Sequence, residues 1–458
     1  MGKTRVLANA SPIIPTMPDA RPGLHFQQMR DVARKIFFHA LNEASIPKAF
    51  ARHVNYERGV LRVCEDLYNL HSYAQVVVIS IGKAGHTMAE ALAQQVGEHS
   101  LEGIVASSVQ PAAQVRGFRY FRGGHPTPNG ESILAAKAIL KTLDTQTAAS
   151  LVIFMISGGG SSIVEKPIDN DISLDDLIAS YRALVHSGGT IAEINTTRKH
   201  LSCVKGGRLA QAAFPAQQVS LLVSDVPDKT PDALASGPTM PDSTSVDDCY
   251  RIVEKHNLLP QFPPSTRELF ERRILEETPK SDDQAFGRSR WWTILSNQTA
   301  VEQSKIAAEH AGFAVHIDNS CDDWEYGRAA DYLLQRLREL RKQSEQVCLI
   351  SGGEVTVKVT NGGTGGRNQQ FALTCAAKIA GQNITVLSAG TDGVDGNSPA
   401  AGAVADGTTA ERALAKGFRI ATALEKFDAY PLFSAIGDAI ETGPTGNNLR
   451  DLRILLAY

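Results

Sequence analysis

The stretch Leu151-Val152-Ile153-Phe154-Met155-Ile156-Ser157-Gly158-Gly159-Gly160-Ser161-Ser162 decides how this chain is read. Its first six residues are apolar without polar alternation, which marks a strand buried on both faces. The run ends in three glycines between serines. Glycine lets the backbone take positive φ and lets bare N–H groups come close to a ligand. The same succession of apolar run and glycine turn appears three more times. Residues 75–81 lead into Gly82-Lys83-Ala84-Gly85, residues 355–360 into Gly362-Gly363-Thr364-Gly365-Gly366-Arg367-Asn368, and residues 384–388 into Gly390-Thr391-Asp392-Gly393-Val394-Asp395-Gly396. Turns of this kind, above all where they open a helix, form concavities that hold anions. Three of the four carry Lys, Arg or Asp, which suits a phosphorylated ligand and its metal.

Around these runs the chain alternates. Helical periodicity covers residues 31–46, 85–96, 132–143, 174–187 and 191–214, with an interruption at Gly206-Gly207. Strand-like runs fall at 103–109, 118–121 and 219–224. Alternating strands and helices with apolar strands predict an α/β fold around a parallel sheet covered on both faces. Residues 238–290 are rich in Pro, Asp, Ser and Glu; they hold helical stretches at 246–255 and 265–276, end in a polar segment at 277–290, and are the best linker candidate. Beyond them strands are predicted at 292–295, 314–317, 347–350, 355–360 and 384–388, and helices at 300–311, 325–343 and 368–380. The closeness of 347–350 and 355–360 predicts a hairpin, and with it a mixed second sheet.

The bulk properties set the class. At 458 residues two or three domains are expected. The chain is 43% apolar and 21% charged, as in a soluble globular protein. A net charge of −3 gives no electrostatic footprint for a nucleic acid or a membrane surface, so an anionic ligand must be held by local positive groups. Six cysteines without a CxxC pair fit buried free thiols in a reducing compartment, with neither disulfides nor zinc. No apolar run reaches the length of a membrane span, and the proline-bearing N-terminus lacks a signal core. A cytoplasmic protein is the expectation.

The candidate site residues follow from their places. Lys83 sits between a buried strand and a helix, over the edge where open α/β sheets bind ligands; a solvated loop lysine is the other reading. Gly82 and Gly85 give G-x-x-G, so the dinucleotide fingerprint is absent. Ser157, Gly158, Gly159, Gly160 and Ser161 resemble a phosphate cradle. They form neither a nucleophile elbow, which fails at Ile163, nor a Walker A loop. In helical projection over residues 191–205, Asn195, Arg198 and Ser202 share one flank of the apolar face. Arg198 is then close to burial and needs an anion, either a ligand or a structural carboxylate. Asp225 ends a strand, where a carboxylate binds Mg²⁺, takes a proton from a hydroxyl, or caps a helix. Arg367 and Asn368 open a helix behind glycines and favour a phosphate. Asp392 and Asp395 suit a Mg²⁺-phosphate site, though Asp-Gly pairs also make plain turns. His125 is fixed between Gly and Pro at another strand end. Gly443-Pro444-Thr445-Gly446-Asn447-Asn448 adds a further glycine turn.

Taken in order, these segments resemble the glycerate 2-kinase family. The resemblance rests on Ile81–Gly85, Gly124–Pro128, Ser157–Ser161, Ile191–Leu209, Ser224–Val226 with Ala235–Thr239, Gly365–Gln369, Gly390–Asp395 and Gly443–Gly446. It implies a large Rossmann-like N-terminal domain and a smaller mixed-sheet C-terminal MOFRL domain, with the site in the cleft. On this chain that gives a loose arm at 1–24 and domains at 25–285 and 286–458. The implied activity is ATP- and Mg²⁺-dependent phosphorylation of D-glycerate at the 2-hydroxyl. The implied catalytic residues are Lys83, Asp225 and Arg367. His125, the Ser157–Ser161 turn, Asn195 and Arg198 would bind the substrate. Gly365, Gly366, Asn368, Gly390 and Thr391 would bind the nucleotide, and Asp392 and Asp395 the metal. Pro227-Asp228-Lys229, Pro399 and Gln370 depart from the family's pattern. Some members carry the label hydroxypyruvate reductase, so an NAD(P)H-dependent reductase and an inactive ligand-binding homologue are the alternatives. No nucleic-acid or membrane partner is implied, and the motifs say nothing of oligomeric state.

Overall fold

The quoted apolar run is the middle of a sheet. The computed structural model describes residues 22–97, 101–227, 229–359 and 362–458. A small antiparallel sheet comes first, from β1 (Val54–Glu57), β2 (Val60–Val63) and β3 (Asp66–Asn69). The main sheet holds β4 (Gln75–Ile81), β5 (Glu102–Ser107), β6 (Phe118–Arg122), β7 (Ser150–Ser157), β8 (Gln217–Val223) and β9 (Ser289–Leu295). Its order is β6-β5-β4-β7-β8-β9, with every pair parallel. All of β7 is buried. Leu151, Ile153 and Met155 enter one core and Val152, Phe154 and Ile156 the other, so both faces are covered.

This order fixes where a ligand binds. The chain starts at β4, runs outward to β6, then returns to β7 beside β4 and runs outward the other way. The crevice beyond the C-terminal ends of β4 and β7 is therefore the topological switch point, where open parallel sheets hold their ligands.

The second sheet contains β10 (Ala314–Ile317), β11 (Val347–Gly352), β12 (Ile384–Gly390), β13 (Gly402–Asp406), β14 (Ala439–Ile440) and β15 (Asp451–Ala457). Its order is β10-β11-β15-β12-β13-β14. It is mixed, as expected, but for another reason than a hairpin. The C-terminal β15 inserts antiparallel between β11 and β12, while β10 and β11 are parallel. Residues 355–359 form no strand and contribute only a bridge from Thr356 to Glu325. Thr360 lies outside the described residues.

Three further expectations are corrected. The polar segment 238–290 is not a loose linker. The helices expected in it are present, at Val246–Lys255 and, shorter than expected, at Pro264–Glu271, and they bury Cys249, Val253, Leu269 and Phe270 in one core with Leu177, Leu184, Ile194 and Leu201. The boundary drawn at 285 and 286 cuts off β9, which pairs with β8 in the main sheet. The opening helix Pro22–Glu43 packs on β12, β13 and β15 of the second sheet, in a core that both sheets share. We therefore propose that the division falls at Ser296 and that the opening helix belongs with the second sheet. Residues 1–21 of the expected arm lie outside the described residues, and its last three, 22–24, are not loose but open the first helix. Among the described residues no helix is long and apolar enough to cross a membrane.

Candidate active site

The turns after β4 and β7 are built into each other. Gly82 turns with φ of +119°, and a side chain there would run into Ser157. The Ser157 hydroxyl donates to Ile81 O at 3.3 Å and accepts from the Ala84 N–H at 3.1 Å. The Lys83 N–H donates to Gly158 O at 2.9 Å. Ser157 is thus buried and stitches the turns together, rather than offering its hydroxyl to a substrate. Ser161 is likewise engaged, hydroxyl to hydroxyl with Ser236 at 2.9 Å. Gly160 packs its bare Cα against Ala235 and Ile81.

Three side chains converge on what remains open. Asp225 follows β8, and its carboxylate lies so close to Gly158 that a Cβ there would overlap it. Gly159, with φ of +81°, faces His125 and the Lys83 stem; a Cβ would stand 2.8 Å from His125 Cδ2 and 3.1 Å from Lys83 Cγ. Glycine at these two positions is what lets Lys83, His125 and Asp225 approach one turn. Asp225 has no other side chain bonded to it among the described residues. Burial pushes its carboxyl above the usual range, against the pull of its own backbone N–H, Lys83 and Arg450. Burial, then Lys83, pushes the His125 imidazole below its usual value. The resulting cavity of about 180 Å³ is lined by Lys83, Gly158, Asp225, Asp392 and the Gly446–Asn448 turn.

This geometry makes a sharp prediction. In Gly158→Ala the new methyl displaces a flexible carboxylate, not backbone, so the fold should survive while Asp225 moves. A fall in kcat of about 10²-fold with Tm within about 2 °C is expected, given what a misplaced group costs. Unchanged kcat would mean that Asp225 is not needed where it stands.

The second-sheet loops supply the opposite wall. Arg367 begins the helix Arg367–Lys378 and is held by two carboxylates that the sequence reading missed. Its Nε and Nη2 donate to Asp451 at 2.6 and 3.0 Å, and Nη2 also pairs with Glu354 at 2.7 Å. Nη1 is left without a partner among the described residues. Burial, and then the Asp451 charge, pushes the Glu354 carboxyl above its usual range.

Asp395 is not a free metal ligand. It is buried, and its oxygens accept from the Asn368 and Gln369 backbone N–H groups at 3.0 and 2.9 Å and from the Gln369 amide at 3.0 Å. Burial pushes it up to about 6 despite these bonds. It caps the helix, so two first-turn N–H groups expected to face a phosphate are occupied. Asn368 is buried too, accepting from Ser388 at 2.6 Å. Thr391 ties the Thr445–Arg450 loop, donating to Arg450 O at 2.8 Å and accepting from the Leu449 N–H at 2.7 Å. Gly390 is buried in β12 and donates to Ala401 O. Asn368, Gly390 and Thr391 are thus engaged within the protein, and none of them lines either of the two cavities here. Gly365 and Gly366 do line a cavity, of about 550 Å³, with Arg367, Asp392 and Asn397.

Asp392 lines both cavities. Among the described residues its carboxylate accepts only from the Val394 N–H at 3.1 Å, and it stands between the glycines at Arg367 and the turn at Lys83. Among the described residues no group of three or more His, Cys, Asp or Glu could cage a metal.

Asn195 and Arg198 are not part of this arrangement. Their helix ends at His200, short of the expected 205, and Ser202 instead donates to Glu165 at 2.6 Å. Neither residue lines the cavity at Asp225. Arg198 lies over the Tyr181 ring at 4.9 Å and lines a separate cavity behind Pro126–Pro128.

The comparisons agree with this architecture. A model for a domain of unknown function, DUF4147, matches residues 32–271, and the MOFRL family model matches residues 347–451. The chain is 36% identical over 386 residues to the D-glycerate 2-kinase of Thermotoga maritima, covering 83% of this chain and 90% of that one. It is 30% identical over 449 residues to the glycerate kinase of Homo sapiens, covering 84% and 85%. The solved glycerate kinase from Thermotoga maritima has a TM-score of 0.83 at 32% identity, covering 94% of this chain and all of that one.

Proposed function

This chain belongs to the glycerate 2-kinase family, and on that premise we propose that it transfers the terminal phosphoryl group of ATP to the 2-hydroxyl of D-glycerate with Mg²⁺. The observation that carries the reading is the position of Asp392, shared by a cavity with glycine walls and an arginine and by one with an open carboxylate and a lysine. A donor in the first and an acceptor in the second would meet at Asp392.

In this reading the acceptor hydroxyl lies against Asp225. Its oxygen bonds to the γ-phosphorus as the bond from that phosphorus to the β,γ-bridging oxygen breaks. ADP leaves, and the hydroxyl proton passes to Asp225. A carboxyl raised by burial suits that proton better than an ordinary aspartate does. Lys83, exposed at the rim, neutralises charge on the glycerate carboxylate and the moving phosphoryl group. Arg367, held by Asp451 and Glu354, presents Nη1 to the donor phosphates. Phosphoryl transfer asks for such positioning and charge stabilisation more than for covalent help.

The residues fit Mg²⁺ carried by the nucleotide. The open carboxylate of Asp392, with no cage of such side chains among the described residues, matches an ion that keeps waters and substrate phosphates as most of its ligands. Asp392 would hold the ion, which would offset the charge of the donor phosphates. Asp392, Asp451 and Glu354 also make this wall acidic around one arginine, which favours a polyphosphate arriving with its cation over a bare one.

Asp392→Asn should therefore raise the Mg²⁺ concentration for half-maximal rate by about tenfold, with the glycerate KM within about twofold. An unchanged Mg²⁺ curve with a raised glycerate KM would assign Asp392 to the acceptor. The activity itself is tested with ATP, Mg²⁺ and D-glycerate. ADP should appear together with a product whose phosphorus couples to the C2 proton by NMR. Coupling to the C3 protons, or NADPH consumption with hydroxypyruvate and no ADP release, would overturn the reading.

A further inference from the structure

Arg198 lies outside the acceptor cavity and has no acidic partner among the described residues. It lines a cavity of about 220 Å³ together with Arg182, His186, Tyr181 and the back of the Pro126–Pro128 loop. No acidic residue belongs to that lining. Arg182 and His186 are exposed and make no hydrogen bond or ion pair among the described residues. The Arg198 Nε is buried without an acceptor. A buried donor left unpaired is costly, and a guanidinium more so, unless an acceptor reaches it.

Arg198 is nonetheless held in place. Its guanidinium stands 4.9 Å over the Tyr181 ring, and Tyr181 donates its hydroxyl to Glu165 at 2.8 Å. Glu165 is fully buried, ion-paired with Lys205 and bonded to Ser202. That carboxylate is thus consumed, and Lys205 and Tyr181 take it rather than Arg198. A planar cation fixed on an aromatic face with donors unspent suits a planar or tetrahedral oxyanion.

We propose that this cavity is a second anion site, distinct from the acceptor cavity, taking the carboxylate or phosphate group of a small metabolite. The part-buried Arg198 supplies the contact at the wall and the exposed Arg182 the charge at the mouth. Its volume admits a three-carbon acid or its phosphate ester. One wall is the loop whose first residue, His125, faces Gly159 on the other side. The two anion sites therefore lie back to back across one loop.

The test is calorimetric titration of inorganic phosphate, and separately of D-glycerate, into the Lys83→Ala protein, where binding at the acceptor turn is weakened. At least one of the two should bind. Arg198→Met in that background should weaken it about tenfold or more, the loss expected when a charged hydrogen-bond partner is removed. Arg182→Met, at an exposed position that cannot upset the core, should weaken it about threefold. Unchanged binding in Arg182→Met and Arg198→Met would overturn the proposal. So would the absence of binding by both probes in Lys83→Ala when the unmutated protein binds them, since all anion binding would then belong to the acceptor turn.

Discussion

Asp225→Asn should lower kcat by about 10²- to 10⁴-fold, the range for loss of a general base, with the D-glycerate KM within about threefold. The amide keeps the shape and cannot take the proton. Stability should hold or rise slightly, because the carboxylate is part-buried without a side-chain partner among the described residues and its charge is opposed by burial. The pH dependence carries the same information. A base must be deprotonated to act, so kcat should fall as pH drops through the Asp225 pKa. Burial raises that pKa, so the acid limb should lie above the ordinary aspartate range and disappear in the variant. A full acid limb persisting in Asp225→Asn would assign it to another group.

Lys83→Ala should lower kcat/KM by at least about 10²-fold, the scale for removing one charge-stabilising donor from a transition state. Lys83 is exposed and its backbone makes the turn's hydrogen bonds, so Tm should change little. Near-normal turnover with a fall of several degrees in Tm would show that the side chain serves the fold.

The parts of the fold legible in the sequence were those whose burial leaves a run of one kind of residue. β7 is apolar from Leu151 to Ile156 because both faces are covered, and β4 and β8 read the same way. β15 did not read as a strand, though it lies inside the second sheet. Arg453 breaks its apolar run, yet it is fully buried, donates to Gly352 O at 2.6 Å and Gly353 O at 3.1 Å, and stands 5.9 Å over the Phe371 ring. β1 to β3 are four residues each and carry Glu57, Arg62 and Asp66, too short and too polar for a periodicity.

The site divided along a similar line. Lys83, His125, Gly158, Gly159 and Asp225 were predicted, and they do come together, because strand order brings the ends of β4, β7 and β8 side by side. Asp395, Asn368 and Thr391 were assigned to ligands, but the loops use them for each other. A glycine turn with acids looks the same in sequence whether its partner is a phosphate or a neighbouring N–H group. Asp451 and Glu354, which hold Arg367, lie 84 and 13 positions away from it in no recognisable motif. Only the antiparallel placement of β15 brings Asp451 to that arginine.

The central claim is that donor and acceptor occupy two cavities that meet at Asp392. The most direct measurement is a crystal structure with a non-hydrolysable ATP analogue, Mg²⁺ and D-glycerate. The predicted result has the nucleotide phosphates against Gly365, Gly366 and Arg367, and the glycerate 2-hydroxyl within hydrogen-bond reach, about 2.6–3.2 Å, of Asp225, in line with the γ-phosphorus. The account would be contradicted by nucleotide phosphates seated on the Gly158–Gly159 turn with glycerate elsewhere, or by the 3-hydroxyl facing Asp225.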